Sequence, residues 1–201
     1  MKIALFGATG KIGSQVASQL ENKSHEIVRI GSRSGDITVD YTNGSSVENA
    51  LKQTAPLDAV LVSVGGDSVF KDYHELTDDD FRHGAERKLV AQFRIVLLAE
   101  KYLSDGGSIT LTSGFLSHYP NPHSLATGPF NAAIDTFVQQ AAPLLQRGIR
   151  LNVVSPAPIV EPASVGKGLV SADQVAELFI QSVEGGETGQ IYRAWGGLAV
   201  T

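Results

Sequence analysis

A doubly wound α/β fold, built on a parallel sheet and forming one domain over residues 1–201, is predicted by three observations. Short apolar runs alternate with longer amphipathic segments along the whole sequence. Runs such as "AVLVSV" (Ala59–Val64) are nearly continuous in apolar residues, as strands covered by helices on both faces require. The loop "GATGKIG", Gly7 to Gly13, stands directly between the first apolar run and the first helical pattern.

The elements follow in βα order. Strands are predicted at Lys2–Phe6, Glu26–Ile30, Ala59–Val64, Ser108–Thr112 and Arg150–Val154, with a weaker one at Gln190–Arg193. Helical patterns lie between them at Ile12–Leu20, Ser46–Gln53, Asp78–Tyr102, Pro129–Gln146 and Ala172–Val183. Thr77 with Asp80 forms a capping-box start for the long helix at Asp78–Tyr102. Pro129 suits the first turn of the next helix, where its missing N–H loses no bond. No repeat, low-complexity stretch or linker divides the chain.

With 201 residues, 42% of them hydrophobic, the chain can fill one substantial core. Its formal net charge of -5, with acids and bases interspersed, provides no broad basic surface for nucleic acid or an anionic membrane. The absence of cysteine excludes disulfides, thiolate chemistry and Cys-type zinc sites, and suits a cytoplasmic location. The first apolar run reaches glycine too soon for a signal peptide or a membrane span, and so reads as a strand.

The glycine loop suits a Rossmann-like dinucleotide site. Gly7 allows the tight turn, Gly10 lets backbone amides approach a pyrophosphate, and Gly13 permits close helix-to-strand packing. Thr9, Lys11 and Ile12 complete the phosphate-contacting stretch. After the second strand, "RIGSRSGD" places Ser32 and Arg33 where an NAD site would hold its acid, and the guanidinium fork of Arg33 suits the 2′-phosphate of NADP. NADP is therefore favoured over NAD, the competing reading being a solvated turn arginine with Asp36 close by. The stretch "TSGFLSHYPNPHSLATGPFNAAID", Thr112 to Asp135, gathers Ser113, His118, Tyr119 and His123 between a strand and a helix. The histidines lack the partnered spacing of metal ligands.

Several motifs resemble those of the short-chain dehydrogenase/reductase family. Asp40-Tyr41-Thr42 resembles its Asp-Val-Thr, which implies that Asp40 holds the adenine amino group beside Tyr41. "VSVG", Val62 to Gly65, stands where the family has Asn-Asn-Ala-Gly, placing Ser63 and Gly65 against the cofactor. "GGSITLTSG" is similar to the strand leading to the catalytic serine. "RGIRLNVVSPAP" is similar to Arg-Val-Asn-x-Val-Ser-Pro-Gly, with Pro156 at the cofactor, and "TGQIYRAWGG" to the Thr-Gly-Gln ending.

The catalytic positions depart from that pattern, so that the chain resembles an atypical member lacking the Tyr-x-x-x-Lys pair. Gly114 stands opposite the usual serine with Ser113 one residue early, Thr127 opposite the tyrosine, Asn131 opposite the lysine, and Lys88 opposite the asparagine of the preceding helix. Lysine and asparagine have in effect exchanged places. Lys88, Ser113, Tyr119 and Asn131 are the candidate catalytic residues, with Lys88 expected to reach the nicotinamide pocket. Only about 14 residues separate Pro156 from Ser171, so the substrate-covering segment is short, and Ala157 and Glu161 replace a glycine and a threonine of the family pattern. The resemblance implies an NADP(H)-dependent oxidoreductase acting on a small carbonyl or hydroxy compound. The alternative is a non-catalytic NADP(H)-binding sensor or regulatory protein. A homodimer or homotetramer through the helices at Asp78–Tyr102 and Pro129–Gln146 is expected by the same resemblance.

Overall fold

Seven parallel strands make one sheet in the computed structural model of the protein, which describes residues 1–65 and 68–200. Their order is β3-β2-β1-β4-β5-β6-β7. The strands are β1 (Lys2–Phe6), β2 (Glu26–Gly31), β3 (Ile37–Thr38), β4 (Leu57–Val62), β5 (Leu103–Thr112), β6 (Arg150–Pro156) and β7 (Ile191–Ala194). Parallel neighbours need crossover connections. These are supplied by α1 (Lys11–Asn22), α2 (Gly44–Thr54), α3 (Asp78–Gly84), α4 (Ala91–Ala99), α5 (Gly128–Ala141) and α6 (Ala172–Glu184).

The doubly wound, Rossmann-like fold is thus present, with two apolar layers. On one face Val47, Leu51, Ile95, Val96, Ile134 and Val138 of α2, α4 and α5 cover the sheet. On the other, Val16, Leu20, Val175 and Phe179 of α1 and α6 pack on Ile3, Leu5 and Leu61. Alternate residues of β1 face opposite layers, which is why its sequence is apolar without alternation. Chain direction across the sheet reverses between β1 and β4, the place where open α/β sheets bind ligands at their carboxyl edge.

Three elements differ from the sequence-based expectation. Strand β3 was not expected; it is only two residues, paired through Ile30 with Ile37 and Gly31 with Thr38. The helix at Pro129–Gln146 ends earlier, at Ala141, and passes into a 3-10 turn at Ala142–Leu144 because Pro143 has no N–H to continue the ladder. The helix expected at Asp78–Tyr102 is not continuous.

Between α3 and α4 lies a π-helical turn at Ala85–Val90, in which the Ala91 N–H donates to the Glu86 carbonyl five residues back. The wide turn directs two polar residues, Lys88 and Gln92, into the interior. Gln92 is fully buried and grips the end of β5: its Nε2 donates to the Thr112 carbonyl (2.8 Å) and its Oε1 accepts from the Thr112 N–H (2.9 Å). The start of α3 is the expected capping box, with Thr77 and Asp80 bonded reciprocally.

Candidate active site

The carboxyl ends of β1, β4, β5 and β6 bring the predicted residues to one edge. At the end of β1, Gly7 turns with φ +81°, and a Cβ there would lie 2.2 Å from the Ser63 carbonyl oxygen. A Cβ on Gly13 would lie 2.1 Å from the Gly7 carbonyl. Both positions therefore require glycine for close packing. Gly10 differs: it is the N-cap of α1, makes no side-chain cap, and a Cβ on it meets only the Gly7 carbonyl at 3.4 Å. The first-turn amides of α1 are thus left uncapped by any side chain, the feature that makes a helix start an anion site.

Around this loop, Thr9 lies beside Gly31 at the end of β2, while Ser32 and Arg33 follow it in an exposed turn. Tyr41 accepts a hydrogen bond from the Gly7 N–H (3.2 Å) and donates to the Ile30 carbonyl (3.3 Å), with burial raising its pKa. Its neighbour Asp40 accepts from the Thr42 hydroxyl and N–H, which hold its carboxyl below the usual value. Ile12 is half-buried, whereas Lys11 points outward to the short segment after β6. There its Nζ stands 3.5 Å from Glu161 Oε1 and donates to the Ile159 carbonyl at 3.4 Å, close to Pro156 at the end of β6.

The second group lies between β4, β5 and α5. Lys88 is buried along Gly65, whose hypothetical Cβ would meet Lys88 Cγ at 3.2 Å and Nζ at 3.3 Å. Its ammonium donates to the Ser113 carbonyl at 3.3 Å. Burial pulls its pKa from 10.5 down to about 8, against the opposing charge of Asp135. Asn131 lies against Gly114: a Cβ at 114 would come within 2.9 Å of Asn131 Nδ2. The glycine opposite the expected serine thereby makes the space that the asparagine occupies, and Ser113 stands beside it as a buried hydroxyl.

The structure brings Lys88, Ser113 and Asn131 together, and adds a residue that the sequence reading did not single out. Asp135 lies one helical turn beyond Asn131 and is buried with it. Burial raises its pKa, opposed by the hydroxyls of Ser113 and Ser117 and by the charges of Arg193 and His118. An acid four positions after Asn131, in a helix whose other inward residues are apolar, was the available signal.

Tyr119 sits apart from this group. Its hydroxyl donates to the Ala199 carbonyl at 2.6 Å, and its ring packs between Phe115 and Trp195. To donate a proton to a substrate it would first have to leave that carbonyl. His118 packs on Trp195, His123 is paired with Asp72, and Thr127, opposite the family tyrosine, donates to the Val69 carbonyl. Among the described residues no cluster of His, Asp and Glu is arranged to hold a metal, and no helix is long and apolar enough to cross a membrane.

Comparison with known proteins supplies the wider setting. A family model described as enoyl-(acyl carrier protein) reductase matches residues 2–192. An uncharacterized oxidoreductase, YghA of Escherichia coli, is 29% identical over 135 residues, covering 67% of this chain and 46% of its own. A hydroxynaphthalene reductase-like protein, Arp2 of Metarhizium brunneum, is 34% identical over 139 residues, 65% of this chain and 51% of its own. The chain thus spans about half the length of these curated relatives. The crystal structure of the protein lin1944 from Listeria innocua superposes with a TM-score of 0.91 at 36% identity, covering 97% of this chain and 100% of that one. A small-chain dehydrogenase solved in complex with NADPH has a TM-score of 0.88 at 22% identity, covering 98% and 97% of the two chains.

Proposed function

The chain belongs to the short-chain dehydrogenase/reductase family, and on that premise we propose that it is an NADP(H)-dependent oxidoreductase acting on a small carbonyl or hydroxy compound. The observation that carries this reading is the pairing of a phosphate cradle with a buried polar group at the same sheet edge. Gly7 and Gly13 fit only as glycines, and the open side of Gly10 faces the uncapped start of α1. The residues present therefore fit a dinucleotide: Gly7, Thr9, Gly10, Lys11 and Ile12 for the pyrophosphate, Asp40 and Tyr41 for the adenine end, Ser63, Gly65 and Pro156 for the middle. Ser32 and Arg33 favour the 2′-phosphate, in keeping with the NADPH complex of the structural neighbour.

When bound, such a cofactor supplies or accepts a hydride. The work of this chain is to hold the reacting oxygen and manage its charge. Lys88 supplies positive charge next to the Ser113 carbonyl, in the place the family gives to asparagine, and Asn131 presents its amide beside Gly114 in the place of the family lysine. To the Ser113 hydroxyl, buried and without a hydrogen-bond partner among the described residues, this reading assigns the bond to a substrate oxygen. Residues 68–76 and 119–127 form a rim, joined by the Lys71 N–H donating to the His123 carbonyl and the Thr127 hydroxyl donating to the Val69 carbonyl. Phe70 and Tyr73 are exposed on that rim and suit an apolar substrate.

Thr127 in the place of the tyrosine favours a second reading, a non-catalytic NADP(H) sensor. Fluorescence titration with NADPH and NADH, followed by NADPH oxidation against a panel of carbonyl compounds, separates the two. Tight NADPH binding with turnover supports the oxidoreductase, tight binding without turnover supports the sensor, and no binding refutes both. Arg33→Ala should cut the preference for NADPH over NADH by about tenfold, roughly 1.4 kcal/mol.

Assembly as a homodimer or homotetramer through α4 and α5 belongs to the same proposal. Phe93 and Phe137 stack across these helices with centroids 3.9 Å apart, and Leu97 is exposed beside them. Sedimentation of the parent and of Leu97→Lys tests this, the variant being expected to fall to a smaller species. A cytoplasmic location, consistent with a chain of no cysteine, completes the reading.

A further inference from the structure

Four buried side-chain atoms near the end of β5 have no hydrogen-bond partner among the described residues: Ser113 Oγ, Asn131 Oδ1 and both carboxyl oxygens of Asp135. An unmet buried group of this kind is costly to leave unbonded, so several at one place point to a group that completes its bonds only during function. Three of the four belong to one face of α5, one turn apart, and the fourth belongs to the residue that carries Lys88 on its carbonyl. A carboxylate kept for structure would take up the neighbouring ammonium or hydroxyls. Asp135 instead keeps both oxygens outside hydrogen-bond geometry, although the hydroxyls of Ser113 and Ser117 stand near enough to oppose the rise of its pKa.

We infer that Asp135 is the proton store of the site and acts through Ser113, whose hydroxyl hands its proton to the substrate oxygen as reduction proceeds. This rests on the oxidoreductase reading above. As the carbonyl carbon receives the hydride, the C=O electron pair moves to oxygen and forms a bond to the Ser113 proton. The Ser113 oxygen recovers a proton as the carboxyl O–H of Asp135 breaks, and solvent then reprotonates the Asp135 carboxylate. In oxidation the same protons travel in reverse. Asp135 is a positioning residue in this scheme, while Ser113 touches the reacting oxygen.

The groups around Asp135 are Lys88 from the π-helical turn, Ser113, Ser117 and His118 from β5 and the turn after it, and Arg193 from β7. Burial favours the protonated carboxyl and outweighs the hydroxyls and positive charges that favour the carboxylate. A proton is therefore held at pH values where an exposed aspartate has lost it.

Two measurements test the inference. In carboxyl-detected NMR of the cofactor-free protein, Asp135 should titrate above the ordinary value of about 4, and Ser113→Ala should raise it further by removing its largest opposing partner. With NADPH and para-nitrobenzaldehyde, Asp135→Asn should lower kcat about 100-fold while KM and NADPH affinity stay within about threefold, and Asp135→Glu should recover part of the rate. An ordinary titration unmoved by Ser113→Ala overturns the inference, as does an Asp135→Asn enzyme as fast as a parent that turns over. A parent that binds NADPH and reduces no carbonyl instead overturns the oxidoreductase reading, and the titration then judges the Ser113–Asp135 pair separately.

Discussion

Replacing Lys88 by methionine should make the cofactor-free protein more stable while removing its function. The side chain is 8% exposed, and its pKa falls from 10.5 to about 8. At about 1.4 kcal/mol per pK unit, holding the charged form in this site costs about 3 kcal/mol at neutral pH. Methionine keeps most of the volume and carries no charge. What it forfeits is the bond to the Ser113 carbonyl, and a buried carbonyl left unmet costs about 1–2 kcal/mol. The expected net gain is about 1–2 kcal/mol at pH 7. The sign of the pH dependence follows from linkage. Between about 8 and 10.5 the unfolded chain binds more protons at Lys88 than the folded one, so the parent gains stability as pH rises through that window. The advantage of Lys88→Met should therefore hold below pH about 8 and shrink above it. Urea unfolding of both proteins at pH 7 and pH 10 measures it. A variant less stable than the parent at pH 7 by more than about 1 kcal/mol, or a difference that does not move with pH, would refute the reasoning. Stability gained together with lost NADPH turnover is the pattern of a residue retained for function.

Three further outcomes are expected. Gly10→Ala, whose Cβ meets only one atom at an ordinary distance, should leave urea stability within about 0.5 kcal/mol of the parent yet weaken NADPH binding at least tenfold in a fluorescence titration. Gln92→Leu removes both partners of the Thr112 backbone and should destabilise the fold by about 2–4 kcal/mol, read as a fall in the urea midpoint. Asp80, held at about 2 chiefly by Lys71, contributes stability present above its ordinary value of 3.8 and lost as pH falls through about 2. Asp80→Asn should remove that step from an acid-unfolding curve monitored by circular dichroism.

Strands β1 and β4 were legible because burial on both faces leaves nearly continuous apolar runs at Ile3–Phe6 and Ala59–Val62, and the start of α3 was legible because its caps lie three residues apart. Strand β3 was not, since two residues carry no periodicity. Nor was the break in the helix expected at Asp78–Tyr102: its apolar spacing persists through the π-helical turn, and only the bond from Ala91 to Glu86 reveals the wider pitch. In the site, the glycine loop could be read from local spacing, and Lys88 and Asn131 from their places in a known pattern. Asp135 left only its spacing from Asn131 as a signal, because the rest of its meaning comes from Ser113 and Lys88, both remote in sequence. The contact of Lys11 with Glu161 spans 150 positions and leaves no local trace. Tyr119 looked chemically promising on its loop, yet its hydroxyl is held by a carbonyl 80 residues away.

The pairing of β1 with β4 has a consequence for how the molecule assembles. Ile3 lies opposite Ala59 and Phe6 opposite Val62, so the central seam joins segments 56 residues apart. Closing such a span requires chain entropy to be lost before the contacts form, which slows the search. The tight approach of Gly7 to the Ser63 carbonyl exists only once that seam has zipped to its end. If the glycine loop holds a nucleotide as proposed, binding must wait until the first third of the chain has found its topology, and the appearance of nucleotide fluorescence during refolding would time the closure of the sheet's centre.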